Sequence, residues 1–181
     1  MTDVYLIDQD YLIRYSWING TVDEDFLKPA IRLAQMKRVR FYLGKCLYDK
    51  LISLVQNQAA GYATSINDAS NSAYKTLLDD YLRDVVMYWT LVELYPYLVR
   101  KIDNSNIFRR VSSNSEPISS NELADMVKNE RSTAQHFTDQ MIKYLCDLDD
   151  GNQIPEWETC DSPLANSHRS ELPYIDGLDV V

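Results

Sequence analysis

Residues 74–98, YKTLLDDYLRDVVMYWTLVELYPYL, decide the fold. Tyr74, Leu78, Tyr81, Leu82, Val85, Trp89 and Val92 recur at three- and four-residue intervals, which places them on one stripe of an α-helix. The spacing predicts a helix over roughly 70–95. Pro96 is expected to end or bend it, because an interior proline removes a hydrogen bond and collides with the preceding turn, leaving a last turn that reaches Arg100 and Lys101. A helix with so broad an apolar face needs other helices around it.

Upstream, Asp23-Glu24-Asp25 supplies the negative charge favoured at a helix start, and Leu27, Ile31, Ala34 and Phe41 then follow at helical spacing. This predicts a first helix over 24–42, with Pro29 in its first turn or at a kink. Gly44 is a suitable stop, and Leu47, Leu51, Leu54 and Val55 define a second, shorter helix. Residues 57–70, rich in Gln, Asn, Ala, Ser and Gly, read as a loop. Downstream, Ser119 and Glu122 form a capping box, after which Leu123, Met126, Val127, Ala134, Phe137, Met141 and Leu145 carry a fourth helix to about 147.

The expected fold is mainly α, with a four-helix bundle-like core over residues 21–148. Residues 103–118 make a long loop or β-hairpin between the third and fourth helices. Residues 1–20 read as an extended N-terminal arm and 149–181 as an acidic C-terminal arm. At 181 residues the chain can bury one core but scarcely two. The start MTDVYLIDQD carries acids where a secretory leader would carry bases, and no apolar run approaches membrane-spanning length.

The net charge of -9 is unevenly placed. Residues 149–181 hold eight acids against Arg169 alone, whereas residues 28–50 hold seven bases against Asp49. Such polarity concerns partners more than fold. Thirteen tyrosines and three tryptophans are many for this length, and several lie in the two arms. Aromatic anchors there favour protein–protein contact, unless both arms fold back on their own bundle. The interface candidates are Tyr5, Tyr11 and Trp17 in the first arm and Ile107, Phe108, Arg109 and Arg110 in the long connection. Ile154, Trp157, Tyr174 and Ile175 complete them in the second arm.

Chemistry finds little support. Cys46, Cys146 and Cys160 are far apart and odd in number, so reduced thiols are the simple reading. No HExxH, ExxH, GxGxxG or GxxxxGK occurs, and no catalytic residue, metal or cofactor is assigned. Asp79, Asp80 and Asp84 with His136 are what a metal-dependent phosphohydrolase would have to use, but nothing in the sequence fixes their distances. A solvated acidic helix face and a packing histidine are the plainer readings. The bases Lys28, Arg32, Lys37, Arg38, Arg40, Lys45 and Lys50 suit an acidic protein segment better than a nucleic-acid site, being spread around the helix.

The stretch VDEDFLKPAIRLAQMKRVRFYLGKCLYDKL (22–51), the run at 74–98, the insertion around NSNIFRR and the last helix ending YLCDL resemble the head-to-tail connector proteins of tailed bacteriophages. The resemblance covers roughly residues 20–150 and rests on hydrophobic patterns in matching order. It implies a virion protein, assembled in the host cytoplasm, that forms a homo-oligomeric ring of about twelve copies. Its partners would be the portal protein and the next tail or ring protein. Duplex DNA would pass through without sequence specificity, and no membrane would be involved. The long acidic tail departs from compact members of that family. A helical adaptor or regulator in the cytosol, gripping one protein partner with its arms, is the alternative.

Overall fold

The computed structural model describes residues 4–18, 22–62, 64–103, 106–109, 119–149 and 154–159. Its described part is mainly helical. A short helix α1 (Gln9–Tyr15) is followed by α2 (Glu24–Ala34), a wide turn of π-helix (Gln35–Val39) and α3 (Arg40–Ala59). A 3₁₀ turn at Ala69–Asn71 leads into α4 (Ser72–Thr76), a second π-helical turn (Leu77–Leu82) and α5 (Arg83–Leu98). Strands β1 (Arg100–Asp103) and β2 (Asn106–Arg109) precede the long α6 (Ser120–Asp149) and the short α7 (Pro155–Thr159).

The predicted starts and stops hold where local chemistry sets them. The Asp23 side chain accepts from the backbone N–H of Asp25 at 3.1 Å and caps α2. Ser119 and Glu122 close the capping box in both directions, at 3.2 Å and 2.8 Å. Gly44 has φ 73° and ψ 165°, a left-handed value that breaks helical geometry and puts a kink within α3.

Three local expectations change. Phe41 is exposed, not in the core. The π-helical turn before it inserts extra residues per turn, so the buried face passes to Val39, Tyr42 and Leu43. Pro29 lies in the second turn of α2, five residues past its first residue. Pro96 does not end α5, which continues to Leu98, and Arg100 and Lys101 enter β1 instead of a last helical turn.

The core is contiguous, and α5 lies at its middle, packed on α2 and α6. Leu82, Val85, Val86 and Leu91 are fully enclosed, and burying side chains of this size stabilises by about 1.5–3 kcal/mol each. Trp89 joins three elements: its indole N–H donates to the Thr138 hydroxyl of α6 at 3.1 Å, and the Arg38 guanidinium sits 4.4 Å from its ring centre. Arg38 also faces Glu93 at 3.7 Å. Next to it on α5, Tyr88 stacks on Phe137 of α6 with ring centres 4.9 Å apart. On α6 only one stripe is buried (Ala134, Thr138, Met141, Ile142, Leu145), and Met126, expected in it, is exposed.

Candidate interaction surface

The segment expected to be an extended N-terminal arm carries α1 and folds onto its own bundle. Asp8 caps α1 by accepting from the backbone N–H of Tyr11 at 2.7 Å, and Leu6, Ile7, Leu12 and Ile18 are buried. Gln35, buried in the π-helical turn, accepts from the Leu6 N–H at 2.8 Å and donates to the Val4 carbonyl at 3.3 Å. It thereby satisfies two backbone groups that would otherwise enter the core unpaired. Tyr11 is half-buried and donates its hydroxyl to Asp84 at 3.2 Å. Burial, then the neighbouring Asp84, pushes the Tyr11 phenol up to about 12. Burial also raises the Asp84 carboxyl above its ordinary value.

Of the candidates in this arm, Tyr5 and Tyr11 are thus half-buried against their own chain. Trp17 is different: it is 87% exposed, and Tyr15 beside it is 57% exposed. A tryptophan left so open is the kind of group that interfaces cover.

In the second arm, the described residues 154–159 also fold onto the bundle. Ile154 and Trp157 are buried in the chain's own core, at 5% and 4% exposure, so they are not available to a neighbour in this conformation. Glu156 accepts a hydrogen bond from the Tyr74 hydroxyl and lies 3.9 Å from the Lys50 ammonium. The Lys50 nitrogen is 5.9 Å from the centre of the Tyr74 ring. Burial first, then the Glu156 carboxylate, raise the Tyr74 phenol. Apolar spacing reveals that a residue will be covered but not by which molecule. Tyr174 and Ile175 lie outside the described residues, as does Arg110.

Ile107, Phe108 and Arg109 fall on β2, which pairs antiparallel with β1 in the register Arg100↔Arg109, Lys101↔Phe108 and Ile102↔Ile107. The hairpin begins immediately after α5, three residues earlier than the loop was expected to start.

A further feature escaped the sequence reading. A cleft of about 630 Å³ opens between α2 and the end of α5, with Pro29, Leu33, Met36 and Tyr97 among its walls and Lys28, Arg32 and Asp25 at its edges. Leu33, Met36 and Tyr97 are exposed at 36%, 43% and 47%, and Tyr5 reaches it from the N-terminal segment. The signal was present in Leu33 of α2 and Met36 of the π-helical turn, apolar residues that lie off the Leu27–Ile31–Ala34 stripe.

The residues considered for metal chemistry do not converge. Asp79 pairs with Arg83 at 3.1 Å, Asp84 is engaged by Tyr11, and His136 is exposed on α6 with Gln140 at 2.8 Å. Among the described residues there is no group of three or more His, Cys, Asp or Glu side chains placed to hold a metal ion. Nor is any helix among them long and apolar enough to cross a membrane. The expectation of three reduced thiols is corrected: Cys146 is free, but Cys46 is disulfide-bonded, since wide spacing in sequence does not fix distance in space.

No curated protein and no solved structure matches the chain. A family model described as a family of unknown function, DUF6712, matches residues 41–166, a span from the first turn of α3 past α7. The match covers well over half of the sequence, and the chain belongs to that family.

Proposed function

We propose that this protein is a structural virion subunit that forms an oligomeric ring between the portal and the tail of a tailed bacteriophage, serving as a conduit for the genome. The observation that carries the reading is the β-hairpin set between the helical run α4–α5 and the long α6. The resemblance places at that point the insertion that reaches a neighbouring ring. The order of elements in that resemblance, two helices meeting at the glycine, a long apolar helix, a polar insertion and a last helix, is compatible with the order of the described elements. The openness of Trp17 and Tyr15 adds an aromatic patch of the sort that subunit contacts use.

Ile154 and Trp157 are already covered and need no neighbour, and Tyr11 is half-buried against Asp84. Assembly must therefore use other surfaces: the Trp17 patch, the hairpin and the cleft beside α2. Sedimentation velocity over a hundredfold concentration range, with electron microscopy of the same sample, tests the reading. Closed rings of many copies, alone or on addition of a portal ring, are expected. A concentration-independent monomer that leaves portal rings undecorated would overturn it in favour of an adaptor for a single partner.

A further inference from the structure

We infer that the cleft between α2 and α5 is the receptor for an acidic, apolar peptide, and that the peptide is residues 171–181 of a second copy of this chain. The inference deepens the assembly reading and rests on it, by naming one donor and one acceptor.

The cleft's chemistry sets the class of ligand. Its walls are apolar and aromatic, from Pro29, Leu33, Met36 and Tyr97, and its edge carries Lys28 and Arg32, with Asp25 as the one acid beside them, on the exposed side of α2. About 630 Å³ falls within the range of ligand pockets and accepts a few side chains, not a domain. A fitting occupant alternates large apolar groups with carboxylates.

Residues 171–181, ELPYIDGLDVV, have that pattern: three acids and no base are interleaved with Leu172, Tyr174, Ile175, Leu178 and Val180. Pro173 removes a donor and fixes its own φ, which lowers the entropy lost when an extended segment is held. The apolar side chains supply area and the carboxylates face the basic edge, so the contact combines burial with charge complementarity.

Geometry favours a neighbour over the chain's own end. Helix α7 is fastened beside Tyr74, at the start of the helical run that continues through α5, whereas the cleft lies at Leu94 and Tyr97 near its finish. Twenty-three residues at about 1.5 Å each separate Tyr74 from Tyr97 by roughly 35 Å. The eleven residues 160–170 span at most about 40 Å when fully drawn out, so a return to the same subunit would leave almost no slack to round the bundle. Donor and acceptor at opposite ends of one helix suit a head-to-tail contact, the kind that closes rings.

The test uses the full chain. A photo-cross-linking benzoylphenylalanine is introduced at Tyr174 in isotope-labelled protein, mixed with unlabelled parent protein, irradiated and mapped by mass spectrometry. Cross-links from labelled residue 174 to unlabelled peptides containing residues 25–36 or 94–97 are expected. The double variant Lys28→Glu, Arg32→Glu, both exposed and so compatible with folding, should lose those cross-links and weaken self-association by about tenfold or more. Cross-links confined to one label class would place the segment in its own subunit and overturn the inference, as would cross-links mapping elsewhere on the neighbour. If rings still form in either case, the assembly reading stands without this contact; a strictly monomeric protein would remove both.

Discussion

The two flanks of the bundle are fastened with the same pair of groups used in opposite senses. On α1 the tyrosine belongs to the strap and the carboxylate to the body, Tyr11 donating to Asp84; at α7 the body supplies Tyr74 and the strap supplies Glu156. Beneath those hydrogen bonds the flanks differ. Among the described residues, the N-terminal segment buries four apolar side chains and has its backbone taken up by Gln35, whereas the segment at α7 buries two, Ile154 and Trp157. Apolar area sets how firmly a segment is held, and a single hydrogen bond adds only about 1 kcal/mol net. By apolar burial alone, the first flank is the more firmly held of the two.

Removing the strongest anchor breaks the comparison most severely. Leu12 is completely enclosed, so Leu12→Ala should destabilise the whole chain by about 3 kcal/mol, from lost transfer energy plus a residual cavity. The midpoint of urea unfolding would fall with an unchanged slope. If only residues 4–18 lost protection from hydrogen exchange while the midpoint held, α1 would be an appendage after all.

Gln35→Leu comes next, at about 2 kcal/mol, since it leaves the Leu6 N–H and the Val4 carbonyl facing an apolar side chain. Its signature is a rise in exchange at residues 4–8 beyond that of the rest of the core. On the opposite flank, Tyr74→Phe should cost about 1 kcal/mol and act locally. Exchange at residues 155–159 should quicken several-fold, with the global unfolding midpoint shifted little. A full-sized shift in that midpoint would mean that α7 unfolds only with the core and that the two flanks are equivalent.

Much of this architecture was legible in the sequence because local chemistry writes it there. The capping box at Ser119 and Glu122, the break at Gly44 and the stripe from Tyr74 to Val92 each follow from a few adjacent residues. What was not legible depends on the third dimension. The seven-residue α1 is too short for a period to emerge from the repeated YLI, so Asp8 as its cap was the only available sign. The π-helical turn at Gln35–Val39 rotates the apolar face by an amount that a regular period cannot anticipate, which exposes Phe41. The cleft beside α2 is formed by Leu33 and Met36 together with Tyr97, about sixty positions away, and no spacing within either helix announces their meeting.

The finest difference between the flanks is electrostatic and is read by pH. Burial raises the Asp84 carboxyl above its ordinary value of 3.8, the Tyr11 hydroxyl pulling in the other direction. A raised acid keeps its proton in the folded chain at pH values where the unfolded chain has already released it. Stability therefore falls as pH rises from about 3.8 through the raised folded value, and the penalty is constant above it. Asp84→Asn removes this titration while leaving an amide oxygen to accept from Tyr11. The variant should match the parent at pH 3 and exceed it at pH 7, by less than about 1 kcal/mol because the site is only half-buried and screened by solvent. Urea midpoints at closely spaced pH values would show the two curves parting between them. Should the Asn variant be the weaker at pH 7, the ionised carboxylate must be stabilised by Tyr11 more than it is penalised by burial. The hydrogen bond, not the apolar contact around Leu12, would then be the principal fastening of α1, and the distinction between the two flanks would fail at its origin.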